Sequence, residues 1–154
     1  MEVRQGKCRI ALFPNEETDL ETGGLWPCIG VAFIHKHRGF LLHADVASPR
    51  DTECFYKAIG KFLTARERQR IRPILTGGEL GDVIDERKAN LNHRQEHTDF
   101  VQSVGLGAPQ LRWASRDNSN NLRLDLEHEV VTLETIDVQT TEIVASETFP
   151  FYGR

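Results

Sequence analysis

Thr22-Gly23-Gly24-Leu25-Trp26-Pro27-Cys28, then Ile29-Gly30-Val31-Ala32-Phe33-Ile34, a polar turn over His35 to Gly39, and Phe40-Leu41-Leu42-His43-Ala44-Asp45 form the stretch on which the reading of this chain turns. Two apolar runs separated by a short polar segment predict an antiparallel hairpin. The unbroken apolarity of Ile29 to Ile34 predicts a strand buried on both faces. Cys28 closes a glycine-bearing loop at the mouth of the first strand, and His43 sits where the second one ends. That is the layout of a cysteine nucleophile with its base.

Upstream, Cys8 to Phe13 reads as a short strand broken at Pro14, with Cys8 as a small apolar residue within it. Glu16 to Gly24 reads as an acidic, turn-forming approach whose glycines allow a tight site, and Pro27 stiffens the residue before the thiol. Downstream, Ser48-Pro49-Arg50-Asp51 is a helix start with Ser48 as N-cap. Phe55, Ala58, Ile59, Phe62 and Leu63 then place one apolar stripe on a helix running to about Arg68, with Cys54 beside it as a core residue. Arg72 to Thr76 is a strand stopped by Gly77-Gly78, read as a turn or as a place where backbone amides approach a ligand. Gly81 to Arg94 is polar and weakly periodic, which predicts a loop leading into a helix near Leu91 that carries His97, Phe100, Val101 and Val104 and ends at Gly105. Gln110 to Ser115, Asn121 to Leu126 and Val130 to Val138 read as strands, the second with Leu122, Leu124 and Leu126 on its buried face. From Gln139 the pattern fades. This order predicts an α/β or α+β layered fold with mixed or antiparallel sheets rather than a doubly wound parallel sheet.

The composition narrows the function classes. With 154 residues, of which 39% are hydrophobic, the chain suits one domain spanning residues 1–154. A net charge of -4 gives no bulk attraction to nucleic acid or acidic membranes, and the arginines from Arg66 to Arg72 read as a solvated helix end. No run approaches the roughly 20 apolar residues of a membrane span, so no membrane insertion is expected. Three cysteines are an odd number, and Met1 to Gly6 lacks the apolar core of a signal peptide. The expected setting is therefore a reducing cytoplasm, that of its own cell or of a host into which it is delivered as an effector. His35 and His37 have a spacing that can hold zinc, but Lys36 and Arg38 beside them disfavour a cation, so no metal is expected there.

Thr22-x-Gly24-Leu25-x-x-Cys28, the strand–turn–strand ending in His43, the following helix, the strand into Thr76-Gly77-Gly78, the helix closed by Gly105 and the hairpin near Glu127-His128-Glu129 together resemble the CheD family of chemoreceptor glutamine deamidases. The similarity runs from about Ile10 to Leu133. The same superfamily includes the catalytic domains of cytotoxic necrotizing factor toxins, whose Cys-to-His spacing is like that from Cys28 to His43. It also includes the protein N-terminal asparagine amidohydrolases, which share a His-x-Asp like His43-Ala44-Asp45. The resemblance implies an α-β-α layered fold, Cys28 and His43 as catalytic residues, and Thr22 as their support. Trp26-Pro27 stands where CheD has a small Gly-Ser, and CheD's Leu-Pro after the histidine is absent.

The residue chemistry points to the same reaction independently of the family. Hydrolysis of a carboxamide needs a nucleophile, an acid for the departing ammonia and donors for the oxyanion. Cys28 serves as nucleophile if His43 lowers its pKa as an ion pair. Backbone amides near Cys28, aided by Gly24 or Gly77-Gly78, would hold the oxyanion, and Trp26 would line the substrate pocket. Either the Thr22 hydroxyl or the Asp45 carboxylate can orient His43, with Thr22 favoured. The expectation is a cofactor-free, monomeric protein deamidase that converts glutamine to glutamate in a protein substrate. The alternatives are an N-terminal asparagine amidohydrolase, a cysteine protease or transglutaminase-like enzyme using the same dyad, and a non-catalytic protein-binding module on the same scaffold, the last favoured if Trp26 and Pro27 close the pocket.

Overall fold

The predicted hairpin forms the centre of the molecule. A computed structural model describes residues 1–47 and 49–152, so the expected N-cap at Ser48 lies outside the described residues. Strands β3 (Ile29–His35) and β4 (Arg38–Ala44) pair antiparallel from Ile29↔Ala44 to His35↔Arg38. The turn is tighter than the polar segment suggests, because Lys36 and His37 take positive φ values of 47° and 63°, the conformation that matches strand twist in a two-residue hairpin. β1 (Cys8–Leu12) adds to the outer edge of β4; β5 (Ile74–Gly77) pairs with β3, and β6 (Gln110–Trp113) pairs parallel with β5. The result is a mixed five-stranded sheet in the order β1-β4-β3-β5-β6.

A second, antiparallel sheet runs β2-β7-β8-β9, built from β2 (Asp19–Leu25), β7 (Asn118–Asp125), β8 (Val130–Asp137) and β9 (Ile143–Pro150). Leu122, Leu124 and Leu126 are buried as their alternation predicts. Two of these strands differ from expectation. The acidic approach to Cys28 is a strand, β2, with a register shift between Thr22 and Leu25. Its few apolar side chains, Leu20 and Leu25, are fully buried, while pairing with β7 supplies what its composition does not. β9 is exposed over most of its length and is held by its ladder with β8, so it carries no hydrophobic signature.

The described residues form three helices: α1 (Pro49–Phe62), α2 (Ala65–Gln69) and α3 (Ile84–Ser103). The single helix expected to Arg68 is broken at Thr64, whose hydroxyl and Glu67 form a reciprocal capping box that starts α2. On α1, Phe55 and Ile59 are fully buried, whereas Phe62 is exposed and covered by the Arg38 guanidinium 4.3 Å from its ring. Cys54 is exposed rather than part of the core. The segment read as a loop from Gly81 to Arg94 is mostly helix, since α3 begins at Ile84. Its buried face is polar, made by Asn90, His93 and His97 before Val101, so an apolar stripe is missing where a helix nevertheless packs.

Alternate residues of the hairpin face opposite layers. Phe33 stacks on Phe40, which meets Phe62 of α1, and His35 reaches Glu67 of α2. Gly30 and Gly39 face the other way, where added Cβ atoms would meet Leu25, Leu122, Leu126 and Leu20 of the second sheet. The layers are thus helices, five-stranded sheet, four-stranded sheet, an α-β-β order that corrects the expected α-β-α. The inner face of the first sheet is covered by strands because β2 and β7 supply the leucines that fill it. One hydrophobic cluster runs through both interfaces. Among the described residues no helix is long and apolar enough to cross a membrane.

Candidate active site

Cys28 precedes β3 directly, and His43 is paired with Gly30 in the neighbouring strand, so thiol and imidazole stand at the same end of adjacent strands. The residue opposite the histidine is a glycine, and the space over it is filled by Leu25 and Leu122 of the second sheet. His43 faces the second sheet and is 4% exposed. There its Nδ1 lies 2.7 Å from Thr22 Oγ1 on β2, and the Thr22 hydroxyl lies 2.6 Å from the Val3 carbonyl oxygen. A hydroxyl has one proton, and the carbonyl can only accept, so Thr22 donates to Val3 and accepts from His43 Nδ1–H. The network therefore assigns the tautomer: Nε2 carries the lone pair. Among the described residues that Nε2 is buried without a hydrogen-bond partner. The N-terminal segment holds the same strand through Gly6 N–H to the His43 carbonyl and His43 N–H to the Lys7 carbonyl, at 2.8 and 2.9 Å.

Cys28 is half-buried and opens on a cavity of about 240 Å³, whose walls include Gln5, Pro27, Asp45, Val46 and Asn90. The thiol is thus reachable from solvent. Burial raises its pKa above the ordinary value, the Asp45 carboxylate raises it further, and its own backbone N–H opposes both. Burial lowers the pKa of His43, with Asp45 acting against that shift. The two shifts together favour a neutral thiol beside a neutral imidazole, not the standing ion pair expected from the sequence. The reason is desolvation, which outweighs the Asp45 carboxylate at His43 and the backbone N–H at Cys28.

The other predicted site residues divide into two groups. Asp45 lines the Cys28 cavity, and its Oδ2 accepts from Gln5 Nε2 at 3.1 Å. It does not orient His43, since Thr22 occupies Nδ1. Gly24, Trp26, Gly77 and Gly78 build the loop around the thiol, and the N–H groups of Gly24 and Gly78 and the indole N–H of Trp26 are engaged within the protein. Gly24 N–H donates to Asn121 Oδ1 at 3.1 Å, and Trp26 Nε1–H donates to the Ser115 carbonyl at 3.2 Å. Trp26 lines a separate cavity of about 330 Å³ with Glu79 and Arg116, leaving the mouth over Cys28 open. Gly78 N–H donates to the Cys28 carbonyl at 3.0 Å, and Glu79 N–H to the Trp26 carbonyl at 2.6 Å. Gly77, at φ +80°, lies so close to the Cys28 carbonyl that a Cβ has no room. The Gly78 N–H is thus spent on the Cys28 carbonyl and not free for an oxyanion, and the glycine pair clamps the backbone of Cys28. His35 and His37 are likewise engaged, with Glu67 Oε2 at 2.6 Å and the Leu126 carbonyl at 2.9 Å.

Several residues near the site were not singled out from the sequence. Gln5 and Asn90 line the Cys28 cavity, and His93 and His97 lie buried on the same face of α3 with Tyr56 beside them. Their one sequence signal is the spacing of Asn90, His93, His97 and Val101, a helical stripe made of polar residues. A larger cavity of about 520 Å³ opens between β6 and the β8–β9 hairpin and contains none of the predicted site residues. No protein-family model matches the sequence, and neither does any curated protein.

Proposed function

We propose that this protein is a cysteine-dependent protein deamidase that hydrolyses the side-chain carboxamide of glutamine in a protein substrate, and that it is a CheD-like enzyme working as a monomer without a cofactor. The observation that carries this reading is the free lone pair of His43 Nε2, its ring fixed by the Thr22–Val3 bonds at the same end of the hairpin as a half-buried thiol that opens on a cavity, although His43 itself is not among that cavity's walls. Most buried side-chain polar atoms have a hydrogen-bond partner, so this orphaned acceptor calls for an explanation, and a catalytic base supplies one.

In the proposed reaction, the Cys28 side chain turns onto Nε2 as the carboxamide enters, and His43 takes the thiol proton while sulfur bonds to the carbonyl carbon. The imidazolium then returns that proton to nitrogen, the C–N bond breaks, and ammonia leaves a thioester. Water, deprotonated by the same Nε2, attacks the thioester, the C–S bond breaks, and the carboxylate and thiol are formed. Thr22 keeps the ring in the tautomer that each step needs. The Cys28 backbone N–H would supply an oxyanion donor. A reducing cytosol suits a mechanism that depends on a free thiol.

The test is mass spectrometry of peptides with internal glutamine, incubated with the protein and with a Cys28→Ala variant, alongside an ammonia assay. A gain of about one dalton with equimolar ammonia, without cleavage or cross-linking, supports deamidation. Turnover confined to peptides with N-terminal asparagine would redirect the assignment to that class of amidohydrolase. Turnover unchanged in Cys28→Ala would remove the mechanism.

A further inference from the structure

Behind the wall of the Cys28 cavity, a chain of buried polar groups crosses the helical layer. Tyr56 OH is 2.9 Å from His97 Nδ1, and His97 Nε2 is 3.2 Å from His93 Nε2. Tyr56, His93 and His97 are 5%, 6% and 0% exposed. Donor logic orders the chain. The tyrosine proton has its acceptor at His97 Nδ1, so His97 carries its proton on Nε2 and gives it to His93 Nε2. His93 then carries its own proton on Nδ1. That Nδ1 is buried without a partner among the described residues, and so is Asp45 Oδ1. Both side chains line one small cavity of about 50 Å³ between α3, the start of α1 and the segment just after β4, whose walls also carry Glu53 and Glu96. It has room for a bridging water between a donor and an acceptor. Asp45 also lines the Cys28 cavity on its other side, where Gln5 holds its second oxygen.

We propose that Asp45 reads the substrate as a carboxamide, accepting its N–H₂ and repelling the carboxylate product, and that His93, held by His97 and Tyr56, is the positioning residue that aims the Asp45 carboxylate. The inference rests on the deamidase reading for its substrate. A carboxamide differs from its product in one respect at this end: it carries donors where the product carries negative charge. A fixed carboxylate beside the nucleophile separates the two by attraction and by like-charge repulsion. It also gives purpose to a helix face that buries two imidazoles where leucines would pack.

The experiment uses two alkylating agents that differ in the same way, iodoacetamide and iodoacetate, with rates at Cys28, Cys8 and Cys54 followed separately by peptide mapping. Both agents need the same thiolate, so their rate ratio at one pH cancels ionisation of the thiol. In the unaltered protein the ratio at Cys28 should exceed that at exposed Cys54 by about tenfold or more. Asp45→Asn should bring it to the Cys54 value. His93→Phe should lower it partway, and Tyr56→Phe, which removes one hydroxyl and keeps the ring, should lower it in the same sense if the larger change prevents folding. The double variant Asp45→Asn/Tyr56→Phe should match Asp45→Asn alone. An unchanged ratio in Asp45→Asn overturns the proposal. An unchanged ratio in Tyr56→Phe, or an additive double variant, overturns the positioning role. Peptide assays separate this from the parent reading: failure to deamidate any peptide removes the deamidase, while the alkylation ratio still judges Asp45.

Discussion

The Thr22 hydroxyl holds the His43 ring by Nδ1 at 2.7 Å, from a strand in the opposite sheet. Because that hydroxyl's proton goes to the Val3 carbonyl, the contact leaves the imidazole one way to carry its own.

Removing the contact should therefore act on turnover more than on binding. Thr22→Val is expected to lower kcat on the order of 10²-fold or more with little change in KM, since the tautomer is released. It should also cost about 1–3 kcal/mol of stability, because His43 Nδ1–H and the Val3 carbonyl lose a partner. Thr22→Ser should restore both. Steady-state kinetics with chemical denaturation of the two variants makes the comparison, and equal losses in both would deny the hydroxyl its role.

Cys28→Ala should abolish ammonia release, by at least about 10³-fold, as expected when a nucleophile is lost. Half-buried at the strand mouth, the thiol contributes little packing, and the melting temperature should move by no more than a few degrees. Parallel ammonia and thermal-melt measurements check this.

The pH profile follows from the two shifts at the site. His43 has a folded-state pKa below the ordinary 6.5, so its neutral, basic form persists to lower pH than a free imidazole. The acidic limb of kcat/KM should accordingly fall below pH 6.5. Cys28 is shifted upward, so the thiol stays protonated to higher pH than an ordinary cysteine, and its alkylation midpoint should exceed 9.0. An alkylation midpoint near neutrality would instead indicate a standing ion pair.

Stability should fall on acidification for a related reason. His97 is lowered from 6.5 to about 3, by burial first and by His93 second, and burial lowers His93 as well. A depressed folded-state pKa means that the unfolded chain binds the proton first. The stability is therefore intact above 6.5 and is lost as pH falls from there toward 3. Each such histidine adds up to about 1.4 kcal/mol per pH unit to the slope. Denaturation midpoints between pH 7 and 4 should be flatter in His97→Gln than in the unaltered protein.

Gly77→Ala should damage fold and site together. The residue sits at φ +80° with its missing side chain directed at the Cys28 carbonyl, so both strain and a backbone clash oppose the change. A loss of at least about 2 kcal/mol is expected. Gly60, with open space around it, is the control: on α1, Gly60→Ala should stabilise by a few tenths to about 1 kcal/mol. Denaturant titration of both variants reads the difference.

What could be read along the chain was what local pattern encodes. The hairpin from Ile29 to Ala44, the Phe55–Ile59 face of α1, strand β5 and the Leu122–Leu126 alternation are each decided within a few residues, by side chains that water rejects at a fixed period. β2, β9 and the first turns of α3 were missed because pairing or packing with distant segments, not their own apolarity, holds them in place.

The sequence alone placed a thiol and an imidazole at one end of neighbouring strands, because two apolar runs joined by a short polar turn pair antiparallel; the two-residue turn at Lys36-His37 and the exact register are structural findings. Only the tertiary structure decided the rest. It brought Thr22 and the Val3 carbonyl to His43, turned Gly77 and Gly78 from donors into a clamp on Cys28, and buried His93 and His97 behind Asp45. Burial of apolar groups follows a period that the sequence displays, whereas a buried polar group is tolerable only beside a particular partner, and that partner is chosen by how distant segments pack.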